Sequence, residues 1–192
     1  MPTLSWDLFV IVLFTVIVAY SFIVGKENTL KIIIGTYIAI LTADALGNLF
    51  LEFFLSSKPF TQFLKLLAIN GEEKAMMLFK ISIFLLCIIA IAMRGQFAIL
   101  RGRQGGVVGF LTTLIFAFLS AGLIISALLV YASGGALVGG EFLVNQTLQP
   151  VYATSRLVKI MIDHASIWFS LPALSFVAWS FLGQREESQE NE

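Results

Sequence analysis

The sequence predicts an all-α integral membrane protein: a bundle of four transmembrane helices, followed by a C-terminal segment that is either a fifth span or a re-entrant helix. Two observations indicate this class. Of 192 residues, 58% are apolar and 12% are charged, whereas globular chains average roughly 45–50% and about 25%. The apolar residues also form runs that approach or exceed the roughly 18 residues needed to cross the hydrocarbon layer.

Four segments have the length and composition of transmembrane helices, within a single transmembrane domain over residues 1–182. They cover residues 8–24, 32–55, 75–93 and 107–132. The first is interpreted as a retained span rather than a signal peptide, because Asp7 stands where a signal peptide carries basic residues. The polar sequence GKENTLK predicts a tight turn between the first two spans.

The other segments have different characters. Residues 60–69 place apolar side chains on one side of a helix, which predicts an amphipathic helix lying in the membrane interface. Residues 141–160 mix polar and apolar side chains, as in a surface helix or loop. Residues 165–182 are uncharged but contain Pro172, so both a fifth span and a re-entrant helix pair stay open. The acidic residues 183–192 predict a disordered tail.

The distribution of charge predicts an orientation and excludes some functions. Lysine and arginine are concentrated in the first and third loops, which places these loops in the cytoplasm and the N-terminus outside; the residues are Lys26, Lys31, Arg94, Arg101 and Arg103. The net charge of zero gives no basic field for nucleic acid. With only Cys87 and His164 available, neither an internal disulfide nor a Cys/His metal site is expected, and no cofactor is predicted.

Two of the predicted spans carry small residues at every fourth position. Such stripes allow close approach of helices in a bilayer, so these two spans are expected to pack together or against copies in an oligomer. The second span supplies Gly35, Ala39, Ala43 and Gly47, and the fourth supplies Gly105, Gly109, Thr113, Ala117 and Ala121.

A line of polar residues follows the second span beside its small-residue stripe. Asp44, Asn48 and Glu52 recur at spacing four and therefore share one helix face. Glu52 is predicted to pair with Lys80 near the start of the third span. Asp44 lies about 12 Å deeper along the helix than Glu52, which places it beyond easy reach of Lys80. The remaining partners for Asp44 are polar groups: Asn48, Ser82, Thr113 and Ser120.

An acid in the middle of a span is costly unless it faces protein or water. Two interpretations of Asp44 follow: it lines a polar cavity or proton path, or it is a protonated acid that donates a hydrogen bond between helices. The adjacent Asp163 and His164 are interpreted as an interfacial pair rather than as catalytic residues, because no nucleophile motif accompanies them. The sequence RGRQGGVVGF lacks the Lys-Ser/Thr of a phosphate-binding loop. No enzymatic activity is predicted.

The layout over residues 5 to 132 resembles the colicin V production (CvpA-like) proteins of bacterial inner membranes. The shared features are Asp7 before the first span, the turn at Gly25 and Lys26, an amphipathic connector, and the sequence RGRQGGVVGF leading into the fourth span. Two positions differ from the family: Arg101, Gly102 and Arg103 replace an Asp-Arg pair before the glycines, and Thr29 stands where a glutamate is usual.

The resemblance implies an inner-membrane protein linked to envelope homeostasis and to export of a small secreted toxin, and it implies no catalytic residues. The expected partners are the lipid bilayer and either further copies of the chain or other membrane proteins. Two functions stay open at this point. One is a polar solute or proton pathway formed by an oligomer, and the other is a non-transporting scaffold or assembly subunit.

Overall fold

The computed structural model describes residues 5–55, 62, 71–94, 107–138 and 148–189. The regular elements in these residues are helical, which confirms the all-α class. They are α1 (Trp6–Phe50) with a π-helical turn (Leu51–Leu55), α2 (Glu72–Arg94), α3 (Val107–Ala132), α4 (Gln149–Thr154), α5 (Arg156–Asp163) and α6 (Ala165–Gln189). Most of the predicted interfacial helix 60–69, the residues between Arg94 and Val107, and residues 139–147 lie outside the described residues.

α1 is broken at Gly25, whose φ of 79° and ψ of 169° are not helical. Phe22 contacts Phe110 and Phe14 contacts Phe118, so residues 6–24 run antiparallel to α3. Ile40 meets the far end of α3, at Tyr131. The chain therefore reverses at Gly25, in a conformation that glycine adopts without steric cost. Most of the predicted turn is helical instead, because only Gly25 is needed to reverse the chain.

Polar side chains just after Gly25 complete the hydrogen bonding at this break. The last carbonyls of a helix have no partner within it. Asn28 Nδ2 donates to the carbonyl of Val24 at 2.9 Å. The Thr29 hydroxyl lies 3.2 Å from the carbonyl of Ser21 and 3.0 Å from that of Gly25. These two side chains thus provide donors for three carbonyls at the break.

α3 is the central helix of the bundle. In its most apolar 18-residue stretch 67% of the residues are buried, against 11% in the corresponding stretches of α1 and α2. α2 lies antiparallel to the second limb of α1, since Gly35 faces Ile91 while Phe50 stacks on Phe79 with ring centroids 4.1 Å apart. By length and composition α1, α2 and α3 can each cross a membrane.

The small residues of the second predicted span face α2 at both glycines. A Cβ at Gly35 would come within 2.7 Å of Ile91 Cγ2, and one at Gly47 within 2.6 Å of Lys80 Cε. The expectation that this stripe packs on the fourth span is therefore wrong at these two positions. The physical reason is that a glycine makes room for a large side chain as readily as for another backbone, and its spacing does not say which helix supplies it. Ala39 and Ala43 are fully buried.

The stripe on the fourth predicted span is also turned inward. Gly109, Ala117 and Ala121 are buried and Thr113 is half-buried, whereas Gly105 lies outside the described residues. The closest approach in α3 comes beside the stripe, at Gly122, where an added Cβ would lie 2.0 Å from a ring atom of Trp168. α3 thus receives an aromatic side chain from α6 at this position.

The C-terminal helices α5 and α6 form a bent pair. The two meet at 61°, a geometry that fits either a broken span or a re-entrant loop. α6 contains Pro172, and the Tyr37 hydroxyl inserts beside it: it donates to the carbonyl of Phe169 and accepts the N–H of Ala173 at 3.1 Å. The hydroxyl thus bridges the N–H of Ala173 and the carbonyl four residues earlier, which would otherwise bond to each other in a regular helix. α6 continues to Gln189, so the predicted disordered tail begins as helix.

Candidate functional site: a buried ion pair

Asp44 and Lys80 form an ion pair inside the bundle. Asp44 lies on the second limb of α1 and Lys80 on α2, and Lys80 Nζ is 3.2 Å from Asp44 Oδ1. Asp44 is 5% exposed and Lys80 is 4% exposed. An unpaired charge at such a place would be strongly unfavourable, and the pairing offsets part of this cost.

A backbone group from the chain beyond α3 completes the coordination of Asp44. The other carboxylate oxygen, Oδ2, accepts the N–H of Val138 at 3.0 Å. The chain turns back after α3 through Gly134, which has a φ of 85°, and the N–H of Gly135 donates to the carbonyl of Val130. The segment of residues 133–138 alternates between buried and exposed side chains. Val138 is 55% exposed, so the pair lies close beneath the surface at this residue.

Tyr131 forms the inner wall of the site. Its hydroxyl donates to the carbonyl of Ile40 at 3.1 Å, one turn before Asp44. Its ring centroid is 5.8 Å from Lys80 Nζ and 5.6 Å from the ring centroid of Phe84. Tyr131 and Phe84 are fully buried, so the Tyr131 ring flanks the ion pair and is itself packed against Phe84.

Gly47 lets Lys80 reach the carboxylate. The Lys80 chain runs across the place where a Cβ would stand, with Cε, Cγ and Cδ at 2.6, 3.0 and 3.3 Å from it. Asp44 lies one turn earlier on the same limb. The glycine that the sequence assigns to helix packing thus holds the aliphatic part of the lysine.

The predicted pairing of Glu52 with Lys80 is wrong, and so is the expectation that Asp44 lies beyond the reach of Lys80, since the two form an ion pair. The antiparallel register explains both errors, because Gly47 rather than Glu52 lies opposite Lys80. α2 begins at Glu72, which puts Lys80 about 12 Å from the start of its helix. Asn48 and Glu52 are exposed. Of the predicted polar face, Asp44 is therefore buried, whereas Asn48 and Glu52 are exposed near the end of α1.

None of the three hydroxyl groups expected to bond Asp44 does so in the structure. Ser82 donates to the carbonyl of Leu78, and Thr113 donates to that of Gly109, each within its own helix. The buried Ser120 hydroxyl has no hydrogen-bond partner among the described residues. Sequence reasoning missed Tyr131 and Val138. The double glycine after α3 signals a reversal, but a backbone N–H has no signature in the sequence.

A second carboxylate of α1, Asp7, caps α5. Its Oδ1 accepts the Ser155 hydroxyl at 2.6 Å and the N–H of Leu157 at 3.0 Å. Ser155 Oγ in turn accepts the N–H of Val158 at 3.1 Å. An acid at a helix N-terminus is favoured by the helix dipole, so Asp7 fixes α5 to the first limb of α1.

Asp163 and His164 are both exposed. Asp163 accepts a hydrogen bond from the Tyr152 hydroxyl, which raises the pKa of Tyr152 above its ordinary value. His164 Nδ1 lies 3.2 Å from the carbonyl of Ile160. The two residues thus have separate partners, and the described residues hold no group of three or more metal-ligating side chains.

Comparison of the chain with protein-family models, curated protein sequences and solved structures gives no match. The function of the site is therefore inferred from its own chemistry.

Proposed function

We propose that the protein is an integral membrane protein of the bacterial inner membrane, with its N-terminus outside. The support is the apolar outer surface of its helices: Phe9, Val16 and Ile23 on the first limb of α1 are 45%, 57% and 84% exposed. A soluble protein rarely exposes so continuous an apolar surface. The two limbs of α1, together with α2 and α3, make four spans, and the bent pair of α5 and α6 adds either a fifth span or a re-entrant segment.

The proposed activity is conduction of protons or of a small polar solute by an oligomer of the chain, with the Asp44–Lys80 pair at the polar centre. The observation that carries this proposal is an ion pair enclosed in an otherwise apolar bundle, since ionisable residues within a membrane are costly and mark ion or proton pathways. The pair lies beneath residues 133–138, held there by the N–H of Val138. Movement of this segment would open the pair to one side of the membrane.

We also propose that the chain is a CvpA-like protein that supports envelope homeostasis or export of a small toxin. Its support is the order of elements: Asp7 before the first apolar limb, the chain reversal at Gly25, and two further long apolar helices. The exposed amide of Asn48, on a face with exposed Leu41 and Leu49, supports association with another copy or another membrane protein.

The second candidate is a non-transporting scaffold or assembly subunit. The observation that favours it is the complete coordination of Asp44, whose two oxygens accept from Lys80 and Val138. A fully satisfied polar group can serve to fix helix register without conducting anything.

Proton flux in vesicles separates the two candidates. The purified chain is reconstituted into liposomes with an internal pH dye, and an imposed pH gradient is followed over time. The pathway predicts that wild type dissipates the gradient, and that Asp44→Asn falls to the rate of protein-free vesicles. Glu52→Gln, the loss of an exposed acid two turns further along, should leave the rate unchanged. Folded, oligomeric wild type without flux of protons or small polar solutes would favour the scaffold, and undiminished flux in Asp44→Asn would exclude Asp44 from the path.

A further inference from the structure

A cavity of about 160 Å³ lies at the opposite end of the bundle from the ion pair. Both limbs of α1 and the last turn of α2 form its walls. Its apolar lining includes Val24, Ile32 and Ile91, and its polar lining consists of Tyr20, Asn28 and Lys31. Because a water molecule takes about 30 Å³ in the liquid, the cavity has room for a polar group considerably larger than one water.

The polar lining offers groups that complement an anion. Lys31 is half-buried, and no acidic side chain among the described residues forms an ion pair with it. Glu27 stands one turn earlier on the same limb, but Lys26 beside it leaves this turn with a net positive charge. The Tyr20 hydroxyl is a donor. Asn28 uses its Nδ2 to donate to the carbonyl of Val24, which leaves its side-chain oxygen to accept from a hydroxyl.

The sequence that joins α2 to α3 carries further positive charge. α2 ends here at Arg94, and α3 begins here, since Phe110 contacts Phe22 near the chain reversal. The residues that join these two helices include Arg101 and Arg103. Clustered lysine and arginine on the cytoplasmic side of a membrane protein attract anionic lipids.

We propose that this cavity binds the phosphate headgroup of an anionic phospholipid, with Lys31 as its counter-charge and Tyr20 as a hydrogen-bond donor. Val24, Ile32 and Ile91 would contact the adjoining apolar part of the lipid. The inference rests on the proposed membrane location and concerns a site distinct from Asp44 and Lys80.

Lipid titration of the full chain in a zwitterionic detergent tests this site. Phosphatidylglycerol should raise the melting temperature more than phosphatidylcholine with the same acyl chains. Lys31→Gln should weaken the apparent affinity for phosphatidylglycerol about fivefold, the effect of one cation near an anionic headgroup. Lys74→Gln removes the same charge from an exposed position in the first turn of α2, at the far end of the bundle, and should leave the affinity unchanged.

A second variant tests the cavity without changing any charge. Ala92 lines the cavity, so Ala92→Phe should fill it and abolish the preference for phosphatidylglycerol. Equal stabilisation by both lipids, or equal losses in Lys31→Gln and Lys74→Gln, would overturn the proposal. Stabilisation by inorganic phosphate alone would overturn the assignment to a lipid. Flotation with liposomes separates failure of the lipid site from failure of the proposed membrane location. If the protein floats but shows no lipid preference, only the lipid site is excluded. If it does not float, both proposals are excluded.

Discussion

Asp44 and Asp7 are two carboxylates of the same helix, and each accepts hydrogen bonds from the backbone and from a side chain. The N–H groups of Val138 and Leu157 lie at the same distance, 3.0 Å. The side-chain donors differ: Asp44 has the ammonium of Lys80, whereas Asp7 has the neutral hydroxyl of Ser155. Burial explains the difference, since Asp44 is 5% exposed while Asp7 is only half-buried.

The comparison shows that the solvent exposure of a carboxylate decides whether a neutral hydrogen-bond donor is sufficient or a cation is needed. At the half-buried end of α1, water, a hydroxyl and the N-terminus of α5 together are sufficient for a charged group. A carboxylate as buried as Asp44 loses most of its contact with solvent, so a counter-charge is needed to offset desolvation. Asp7 can therefore act as a local helix cap, whereas Asp44 ties together α1, α2 and the segment after α3.

The largest expected effect is that of removing the counter-charge. Lys80→Met keeps the apolar stem but leaves Asp44 buried without a cation, and should lower the free energy of unfolding by about 3–5 kcal/mol. Unfolding of the purified protein in detergent micelles by SDS titration measures this loss.

The double variant Asp44→Asn/Lys80→Met is the control for that experiment. It removes both charges and keeps an oxygen to accept the Val138 N–H, so most of the lost stability should return. If the double variant is as unstable as Lys80→Met, then packing of the lysine rather than the uncompensated charge explains the loss, and the comparison with Asp7 fails.

A smaller effect is expected from Gly47→Ala. The added methyl group would meet the Lys80 chain at 2.6 Å, and the ammonium end is held by Asp44, so the lysine cannot simply swing away. We expect a loss of about 1–3 kcal/mol, as for other overpacked interiors. In the Lys80→Met background the thioether chain is free to move and the loss should shrink. An equal loss in both backgrounds, measured by the same titration, would show that the ion pair does not pin the lysine.

Much of the fold could be predicted from sequence, because long apolar runs and their polar interruptions report directly on helices that avoid water. Gly25 and Asp44 stand out for this reason. The pairing of Asp44 could not be predicted, because the relative register of two helices depends on which side chains interlock. A shift of one or two turns decides whether Glu52 or Gly47 lies opposite Lys80. Gly35 and Gly47 illustrate the same limit. A glycine in a helix indicates that another group packs closely there, but not which residue or helix supplies that group.

The smallest expected effect is at the other carboxylate. Asp7→Asn keeps an oxygen that can accept from Ser155 and Leu157, and removes only the attraction between the charge and the N-terminus of α5. We expect a small loss in the free energy of unfolding at low ionic strength, the smallest among these variants. Because Asp7 is only half-buried, salt should screen this contribution, and the difference from wild type should narrow as sodium chloride is raised from about 0.01 to 1 M. The loss in Lys80→Met should persist over the same range, since a buried charge is screened much less. SDS titrations at both salt concentrations make the measurement. A salt-insensitive loss in Asp7→Asn would mean that Asp7 is shielded from solvent as Asp44 is, and that burial does not separate the two carboxylates.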